Sequence, residues 1–200
     1  MNEIKLACQT ITWGDGQRER FPQVFAEIAA GGFTGVEIGY RRLEGVDPGQ
    51  LRSMLDDAGL KLVASHIGGN LEDTAQAAGE RDVLETIVDD LKKYDCTILN
   101  YSGLRYESDD QLQRELEMLQ RSSERCAALG VELLYHNHDW EFAQGGRVID
   151  ALIDETDVGF CPDVGWVDKA QVDVIGFLDR IAGRLGAMHF KEFATRRPPS

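Results

Sequence analysis

Short apolar segments alternate along this chain with longer segments in which apolar residues recur every three or four positions. The short segments are rich in β-branched residues and predict strands, whereas the longer ones have the period of amphipathic helices. Because strand and helix alternate, the pattern predicts a parallel sheet whose strands are joined by helical crossovers. The seven predicted strands are Ile4–Thr10, Gly35–Gly39, Lys61–Ser65, Thr97–Tyr101, Glu132–His136, Gly159–Pro162 and Gly186–Phe190.

Two of the helices have recognisable ends. Asp47 followed by Pro48 predicts a capped helix start, and Gly59 stands where a helix-terminating glycine belongs. Ser108, with a glutamine three residues later, forms a capping-box pattern, and Gly130 ends the helix that follows. The predicted apolar stripe of that helix is Leu112, Leu116 and Leu119.

The strand centres are spaced by about 27 to 35 residues, which is the repeat that a (β/α)₈ TIM barrel requires. An eighth strand would centre near residue ~216 by the same spacing. We therefore expect an incomplete α/β barrel with seven strands: a single TIM-barrel-like domain over residues 4–193, followed by a polar, proline-containing tail at 194–200. A doubly wound open sheet fits less well, because no glycine-rich phosphate loop follows the first strand.

Composition narrows the choice of partners. The 200 residues include 21 Lys and Arg against 35 Asp and Glu, a formal net charge of −14. This charge argues against a nucleic-acid partner, since phosphate binding needs clustered positive charge. The first residues lack a secretory signal, and no apolar run approaches the length of a membrane span. The four cysteines stand far apart, so we expect a reduced, cytoplasmic protein that does not act at membranes.

All four histidines fall at or just beyond the carboxyl ends of predicted strands, where βα barrels build their active sites. They are His66, His136, His138 and His189, and three carboxylates fall at similar places: Glu37, Asp163 and Glu192. On a strand, His136 and His138 would point to one face, as would His189 and Lys191.

Glu141, Asp163 and His189 follow three consecutive strands at the same end. Two carboxylates and one imidazole suit a divalent ion such as Mn²⁺, Co²⁺, Mg²⁺ or Zn²⁺, without selecting one of them. Structural ion pairs at the barrel rim are the alternative interpretation. Trp166 lies near the same rim, where an aromatic ring could wall a sugar site.

Three segments carry a resemblance to a known family. Tyr135–Phe142 (YHNHDWEF), Pro162–Trp166 (PDVGW) and His189–Glu192 (HFKE) resemble the sugar phosphate isomerase/epimerase group of the xylose isomerase-like barrels. Two earlier segments, Val36–Gly39 (VEIG) and Ala64–His66 (ASH), also fit its second and third strands.

The resemblance implies roles for particular residues. Its usual metal site takes a Glu, an Asp and a His after strands five, six and seven, and these map to Glu141, Asp163 and His189. A fourth ligand, a Glu at strand eight, has no counterpart in these 200 residues. The catalytic residues implied are Glu141, His138 and Lys191, and the substrate-binding residues implied are Glu37, His66, His136 and Trp166.

The implied activity is that of a divalent-metal-dependent isomerase or epimerase on a sugar, keto-sugar or related polyol, with proton transfer through an enediolate held by the metal. Loss of a β-hydroxyl would instead make it a dehydratase on a keto-inositol or keto-sugar. A nuclease on the same fold is opposed by the negative charge. The absent eighth strand leaves three interpretations: a fragment, a barrel completed by a partner chain, or a degenerate barrel that binds sugar without catalysis. Exposed edges on strands one and seven predict a homodimer or poor stability.

Overall fold

The centre of the molecule is a sheet of parallel strands in the order β1-β2-β3-β4-β5-β6. In this computed structural model, residues 4–68, 84, 86–103 and 105–193 are described. The strands are β1 (Ala7–Gln9), β2 (Gly35–Gly39), β3 (Lys61–Gly68), β4 (Ile98–Ser102), β5 (Glu132–Tyr135) and β6 (Gly159–Phe160). Parallel neighbours joined by helical crossovers confirm the predicted TIM-barrel type, in incomplete form within the described part of the chain. The predicted tail at 194–200 lies outside the described residues, and the single domain over 4–193 stays a prediction.

Helices cover the outer face of the sheet. They are α1 (Phe21–Ala30), α2 (Tyr40–Leu43), α3 (Pro48–Ala58), α4 (86–93), α5 (Asp109–Ala128), α6 (Ala143–Glu155), α7 (Val164–Lys169) and α8 (Val174–Ile181). Short 3₁₀ segments at Thr10–Trp13, Asp15–Arg20, Trp140–Phe142 and Ala182–Arg184 complete the connections. Among the helices in the described part of the chain, none is long and apolar enough to cross a membrane.

The predicted helix ends are confirmed. The Asp47 carboxylate accepts the backbone N–H of Gln50 at 2.8 Å, and Gly59 adopts a left-handed φ of 69° after α3. The Ser108 hydroxyl accepts the backbone N–H of Gln111 at the start of α5, and Gly130 has a φ of 80° beyond its end. These contacts satisfy backbone groups that a helix leaves unpaired at its ends.

The apolar core lies between the sheet and the helices. Val36 and Ile38 on β2 are fully buried in one cluster with residues of α1, α3 and α5, whereas Glu37 between them joins a polar network. This alternation is what a strand produces when one face meets the helices and the other faces the barrel interior. The predicted stripe of α5, which is Leu112, Leu116 and Leu119, is buried in the same cluster.

The predicted seventh strand is wrong as a continuous strand. Among the described residues it forms one isolated parallel bridge, between Asp163 and His189, and a second bridge joins Phe160 to Leu185, just before the predicted strand. The His189 N–H donates to the Pro162 carbonyl at 2.9 Å, but proline has no N–H to return, so the ladder is interrupted there. The segment nevertheless runs beside β6 and brings His189 to the rim.

The other strand boundaries differ by a few residues from the predicted ones. β1 covers Ala7–Gln9 instead of Ile4–Thr10, and β6 ends at Phe160 instead of Pro162. Within the described residues β1 is an edge strand, and the apolar side chains of Ile4 and Leu6 beside it are exposed. Short edge strands present fewer unpaired backbone groups than long ones.

Leu134 fills the barrel interior next to two glycines. A Cβ atom at Gly159 would lie 2.6 Å from a Leu134 methyl carbon, and one at Gly186 would lie 2.7 Å from it. Leu134 itself is fully buried and pairs in register with Asn100 on β4. The glycines therefore leave the space that this leucine occupies below the polar rim.

Candidate active site

Side chains from three neighbouring segments meet at the carboxyl end of the sheet. His136 follows β5 directly, Asp163 follows β6, and His189 lies on the seventh segment. One possible ligand atom from each of these three residues lies within 4.8 Å of the other two. We call His136, Asp163 and His189 the inner cluster. His136 and Asp163 are buried, and the two imidazole rings stand 4.7 Å apart at an angle of 61°.

Asp163 is held in place by its own helix. One carboxylate oxygen, Oδ1, accepts the backbone N–H of Trp166 as the N-cap of α7. Its backbone N–H donates to the Asn137 side-chain oxygen at 3.0 Å. The other oxygen, Oδ2, is left to face His136 Nε2 at 3.5 Å and Lys191 Nζ at 3.6 Å.

Glu37 lies behind the inner cluster with both carboxylate oxygens in contact with donors. Oε2 lies 2.8 Å from His189 Nε2 and accepts from the Asn100 amide at 2.7 Å. Oε1 accepts from the Gln9 amide at 2.6 Å and lies 3.5 Å from His66 Nδ1. A buried carboxylate needs such partners, because desolvation without them is costly.

Ser102, at the end of β4, joins two imidazoles. Its hydroxyl oxygen lies 3.1 Å from His136 Nδ1 and 3.0 Å from His66 Nε2. His136 is therefore contacted at both ring nitrogens, by Ser102 on one side and by Asp163 on the other.

The charges of the site are set by burial and by these contacts. Burial lowers the pKa of His136 to about 4, so its ring is neutral near pH 7. Burial is the largest influence on His189 and would lower its pKa, but the hydrogen bond and charge of Glu37 together with the charge of Asp163 outweigh it and raise that pKa. Burial opposes ionisation of Glu37 and Asp163, yet the surrounding donors hold the pKa of each carboxyl below its usual range.

A second set of side chains lies next to the inner cluster and is more exposed to solvent. His138 stacks on Trp140 with ring centroids 3.9 Å apart, and Lys191 Nζ lies 4.1 Å from the centre of the Trp166 ring. We call His138, Trp166 and Lys191 the outer group. Lys191 is exposed, whereas His138 and Trp166 are half-buried.

Glu141 is fully buried and faces His138. One of its carboxylate oxygens accepts the Tyr135 hydroxyl at 3.0 Å, and the other accepts the His138 backbone N–H at 2.8 Å. His138 Nδ1 lies 3.9 Å from the first oxygen. Among the described residues, the compact cluster thus contains His136 where the sequence prediction placed Glu141. The role of Glu141 as a metal ligand stays a prediction.

A family model described as the xylose isomerase-like TIM barrel matches residues 25–199. The chain belongs to this family. It is 25% identical over 218 aligned residues to an inosose dehydratase of Geobacillus kaustophilus, covering 96% of this chain and 70% of that protein. It is 26% identical to an inosose dehydratase of Erwinia tasmaniensis, covering 96% of this chain and 72% of that protein.

Solved structures of similar fold include enzymes of several kinds. A sugar phosphate isomerase/epimerase from Parabacteroides distasonis superposes with a TM-score of 0.83 and 19% identity, over all of this chain and 90% of the other. A D-allulose 3-epimerase from Methylomonas sp. superposes with a TM-score of 0.79 and 17% identity, over 96% of this chain and 73% of the other. These likenesses identify the fold of the xylose isomerase-like chain described here.

The inner cluster of this xylose isomerase-like barrel suits a divalent metal ion. It combines two imidazoles with one carboxylate, a donor set that zinc, manganese and cobalt accept. His136 is neutral, and Asp163 presents an oxygen that its helix does not use. Each ligand is also held from behind, as metal ligands are, by Ser102, Glu37 or Asn137.

Some residues that build the site were missed by sequence reasoning. Gln9, Asn100, Ser102 and Asn137 all contact predicted site residues. The available signal was their position, since Gln9, Ser102 and Asn137 stand at or just after the carboxyl end of a strand and Asn100 lies two residues before one. Asn100 and Ser102 alternate along β4, and period-two alternation puts both on the interior face.

Proposed function

We propose that this protein is a divalent-metal-dependent isomerase or epimerase that moves a proton on a sugar, keto-sugar or related polyol. The observation that carries the proposal is the inner cluster, in which His136, Asp163 and His189 bring ligand atoms within 4.8 Å of one another. These three residues would hold the ion. When bound, the ion would supply Lewis-acid polarisation of a substrate carbonyl, which acidifies the neighbouring C–H.

His138 is the proposed base. Its Nδ1 is buried, has no hydrogen-bond partner among the described residues and faces the Glu141 carboxylate at 3.9 Å. Nε2 is therefore the ring nitrogen proposed to face substrate. After Nε2 takes a proton, the imidazolium is stabilised by the buried negative charge of Glu141. The stacked Trp140 ring holds the imidazole plane in one orientation.

Lys191 and Trp166 are proposed to receive the sugar. The Lys191 ammonium lies near Asp163 Oδ2 and over the Trp166 ring, so it can donate a hydrogen bond to an oxygen that gains negative charge. Trp166 offers an apolar ring face against which the C–H face of a sugar packs.

Cytoplasmic location and a homodimer remain parts of the prediction made from the sequence.

Dehydration is the second candidate reaction. It is favoured by the inosose dehydratases, which match 94% or more of this chain at 25–26% identity. The first step is the same proton removal next to a carbonyl, but a β-hydroxyl then leaves as water. The same residues would serve, with Lys191 or a protonated His138 donating to the departing hydroxyl.

Metal content and solvent exchange test the proposal together. The purified chain should bind about one equivalent of Mn²⁺ or Co²⁺, as expected for one ion in a single cluster. With keto-sugars in D₂O, an isomerase or epimerase incorporates deuterium at the carbon beside the carbonyl, detected by NMR, without loss of a hydroxyl. Incorporation accompanied by loss of water identifies the dehydratase instead.

Asp163→Asn is the test variant, and Asp173→Asn is its matched control. Both aspartates cap the start of a helix, and asparagine caps as well as aspartate does. Only the Asp163 variant should lose metal and exchange activity. Equal metal binding by both variants, or no metal binding by the parent protein, would overturn the proposal.

A further inference from the structure

Glu37 was predicted from the sequence to contact substrate, but the structure leaves it little capacity to do so. An ionised carboxylate offers about four lone-pair sites for hydrogen bonds. All four have neighbours within the protein: Asn100 and His189 at Oε2, and Gln9 and His66 at Oε1. Because the side chain is also buried, Glu37 acts on other side chains of the site.

The direct contact between Glu37 and His189 fixes the tautomer of the His189 ring. Glu37 Oε2 can only accept, so the His189 Nε2 that lies 2.8 Å away must carry the ring proton. The lone pair of the neutral ring is then on Nδ1. A metal ion can therefore bind His189 only through that nitrogen.

An indirect chain leads from Glu37 to His136. His66 Nδ1 lies 3.5 Å from Oε1 of Glu37, and also 3.5 Å from the Gln9 amide, whose shorter contact of 2.6 Å is to Glu37 itself. The anionic carboxylate is the stronger acceptor and favours a proton on His66 Nδ1. The other nitrogen, Nε2, then accepts a hydrogen bond.

Ser102 links the tautomer of His66 to that of His136, because its hydroxyl has a single proton to donate. If the Ser102 hydroxyl donates to His66 Nε2, its oxygen must accept from His136 Nδ1. The proton of His136 is then on Nδ1, and its lone pair is on Nε2. Asp163 Oδ2, which lies 3.5 Å from that nitrogen, favours the opposite tautomer by the same rule, so Asp163 and Glu37 compete for the position of the His136 proton.

We propose that Glu37 is a positioning residue for both imidazoles of the inner cluster: it fixes the ring tautomer of His189 directly, and through His66 and Ser102 it shifts the tautomer of His136 toward Nδ1–H against the pull of Asp163. The proposal rests on the metal site of the proposed function. It replaces the predicted contact of Glu37 with substrate. The reversed tautomers would place N–H groups, which cannot bind a metal ion, where lone pairs are needed.

The first measurement reads the tautomers without metal. Long-range ¹H–¹⁵N correlation spectra of the metal-free protein at pH 7.5 distinguish protonated from unprotonated ring nitrogens. The parent protein should show a proton on Nε2 of His189, and its His136 should show a larger share of the Nδ1–H tautomer than in Glu37→Gln. In Glu37→Gln, the uncharged amide no longer selects these forms, and His136 should shift toward the Nε2–H tautomer.

The second measurement is Co²⁺ affinity, followed by the visible absorption of the bound ion. Loss of such a supporting contact typically weakens metal binding about 10- to 100-fold, and we expect this for Glu37→Gln. Glu115→Gln is the matched control, because Glu115 is an equally buried carboxylate on α5 outside the inner cluster. Its affinity and Co²⁺ spectrum should match those of the parent.

Ser102→Ala separates the effect of Glu37 on His136 from its effect on His189. It is also the alternative test if Glu37→Gln fails to fold. It breaks the chain to His136 and leaves the Glu37–His189 contact intact, so only the His136 tautomer should change. Unchanged tautomers in both variants, or a Co²⁺ affinity of Glu37→Gln within about threefold of the parent, would overturn the proposal. A parent protein that binds no Co²⁺ would defeat the proposed function, while the tautomer spectra would still decide the role of Glu37.

Discussion

The inner cluster and the outer group lie side by side at one rim, yet they are built in different ways. In the inner cluster, His136 has a polar partner at each ring nitrogen, and Glu37 holds His189 from behind. In the outer group, His138 is held by stacking on Trp140, and within the described part of the chain its Nδ1 has no hydrogen-bond partner. Fixed nitrogens suit metal ligands, whereas a base must keep one nitrogen free to take and return a proton.

Replacing His136 or His138 by glutamine should have the largest effects, each on a different property of the protein. His138→Gln should lower kcat by about 10²- to 10⁴-fold, the usual contribution of a general base, with Co²⁺ affinity unchanged. His136→Gln should weaken Co²⁺ binding by more than about 100-fold, beyond the usual effect of losing a supporting contact. Titration with Co²⁺ and turnover of the loaded variants measure the two quantities.

Each of these variants is the control for the other, since they make the same substitution two residues apart. If both lost metal affinity, His138 would belong to the metal site and the distinction between the two regions would fail.

Lys191→Met sharpens the role of the outer group. Removing one donor to a developing negative charge typically costs about 100-fold in kcat, and we expect that loss here. Lys169→Met is the control, since Lys169 Nζ also lies over the Trp166 ring, at 4.2 Å, but pairs with Asp139. Steady-state kinetics should show a large fall in kcat for Lys191→Met only, and equal losses in both variants would contradict the assignment.

Gly165→Ala tests how the seventh segment is held against α7. A Cβ atom at Gly165 would clash with the backbone carbonyl of Lys191 and lie 2.8 Å from its Cγ. Overpacking of this kind costs about 1–3 kcal/mol of unfolding free energy. The midpoint temperature of thermal unfolding should therefore fall by about 2–4 °C for each kcal/mol lost in a protein of this size.

Gly183→Ala is the matched control, because apart from its chain neighbours no heavy atom of the described residues lies within 4 Å of the Cβ that it would add. Its stability should stay within about 0.5 kcal/mol of the parent. A Gly165 variant as stable as this control would mean that the seventh segment adjusts freely.

The fold was readable from the sequence because its signals are local. Asp47, Pro48 and Gly59 bound α3 by backbone chemistry that depends on adjacent residues only. The seventh strand was overestimated, because a local pattern does not contain the interruption that Pro162 makes in its neighbour. Pairing between segments is a property of the assembled sheet.

The candidate site was readable in part. Asp163 and His189 were placed together by their positions at strand ends, and the structure brings them together. His136 and His138 were expected to share a face, but β5 ends at Tyr135, so period-two alternation does not extend to them. Only the assembled structure separates a histidine held by Ser102 from one stacked on Trp140.

Leu134 bounds the candidate site on the side of the barrel interior. With Gly159 and Gly186 making room for it, this side chain forms a floor beneath the polar rim. Because His136 and Asp163 are buried and Trp166 is half-buried, an ion in the inner cluster would lie deeper than a sugar packed against Trp166. A bound sugar would then cover the ion and slow its removal by a chelator.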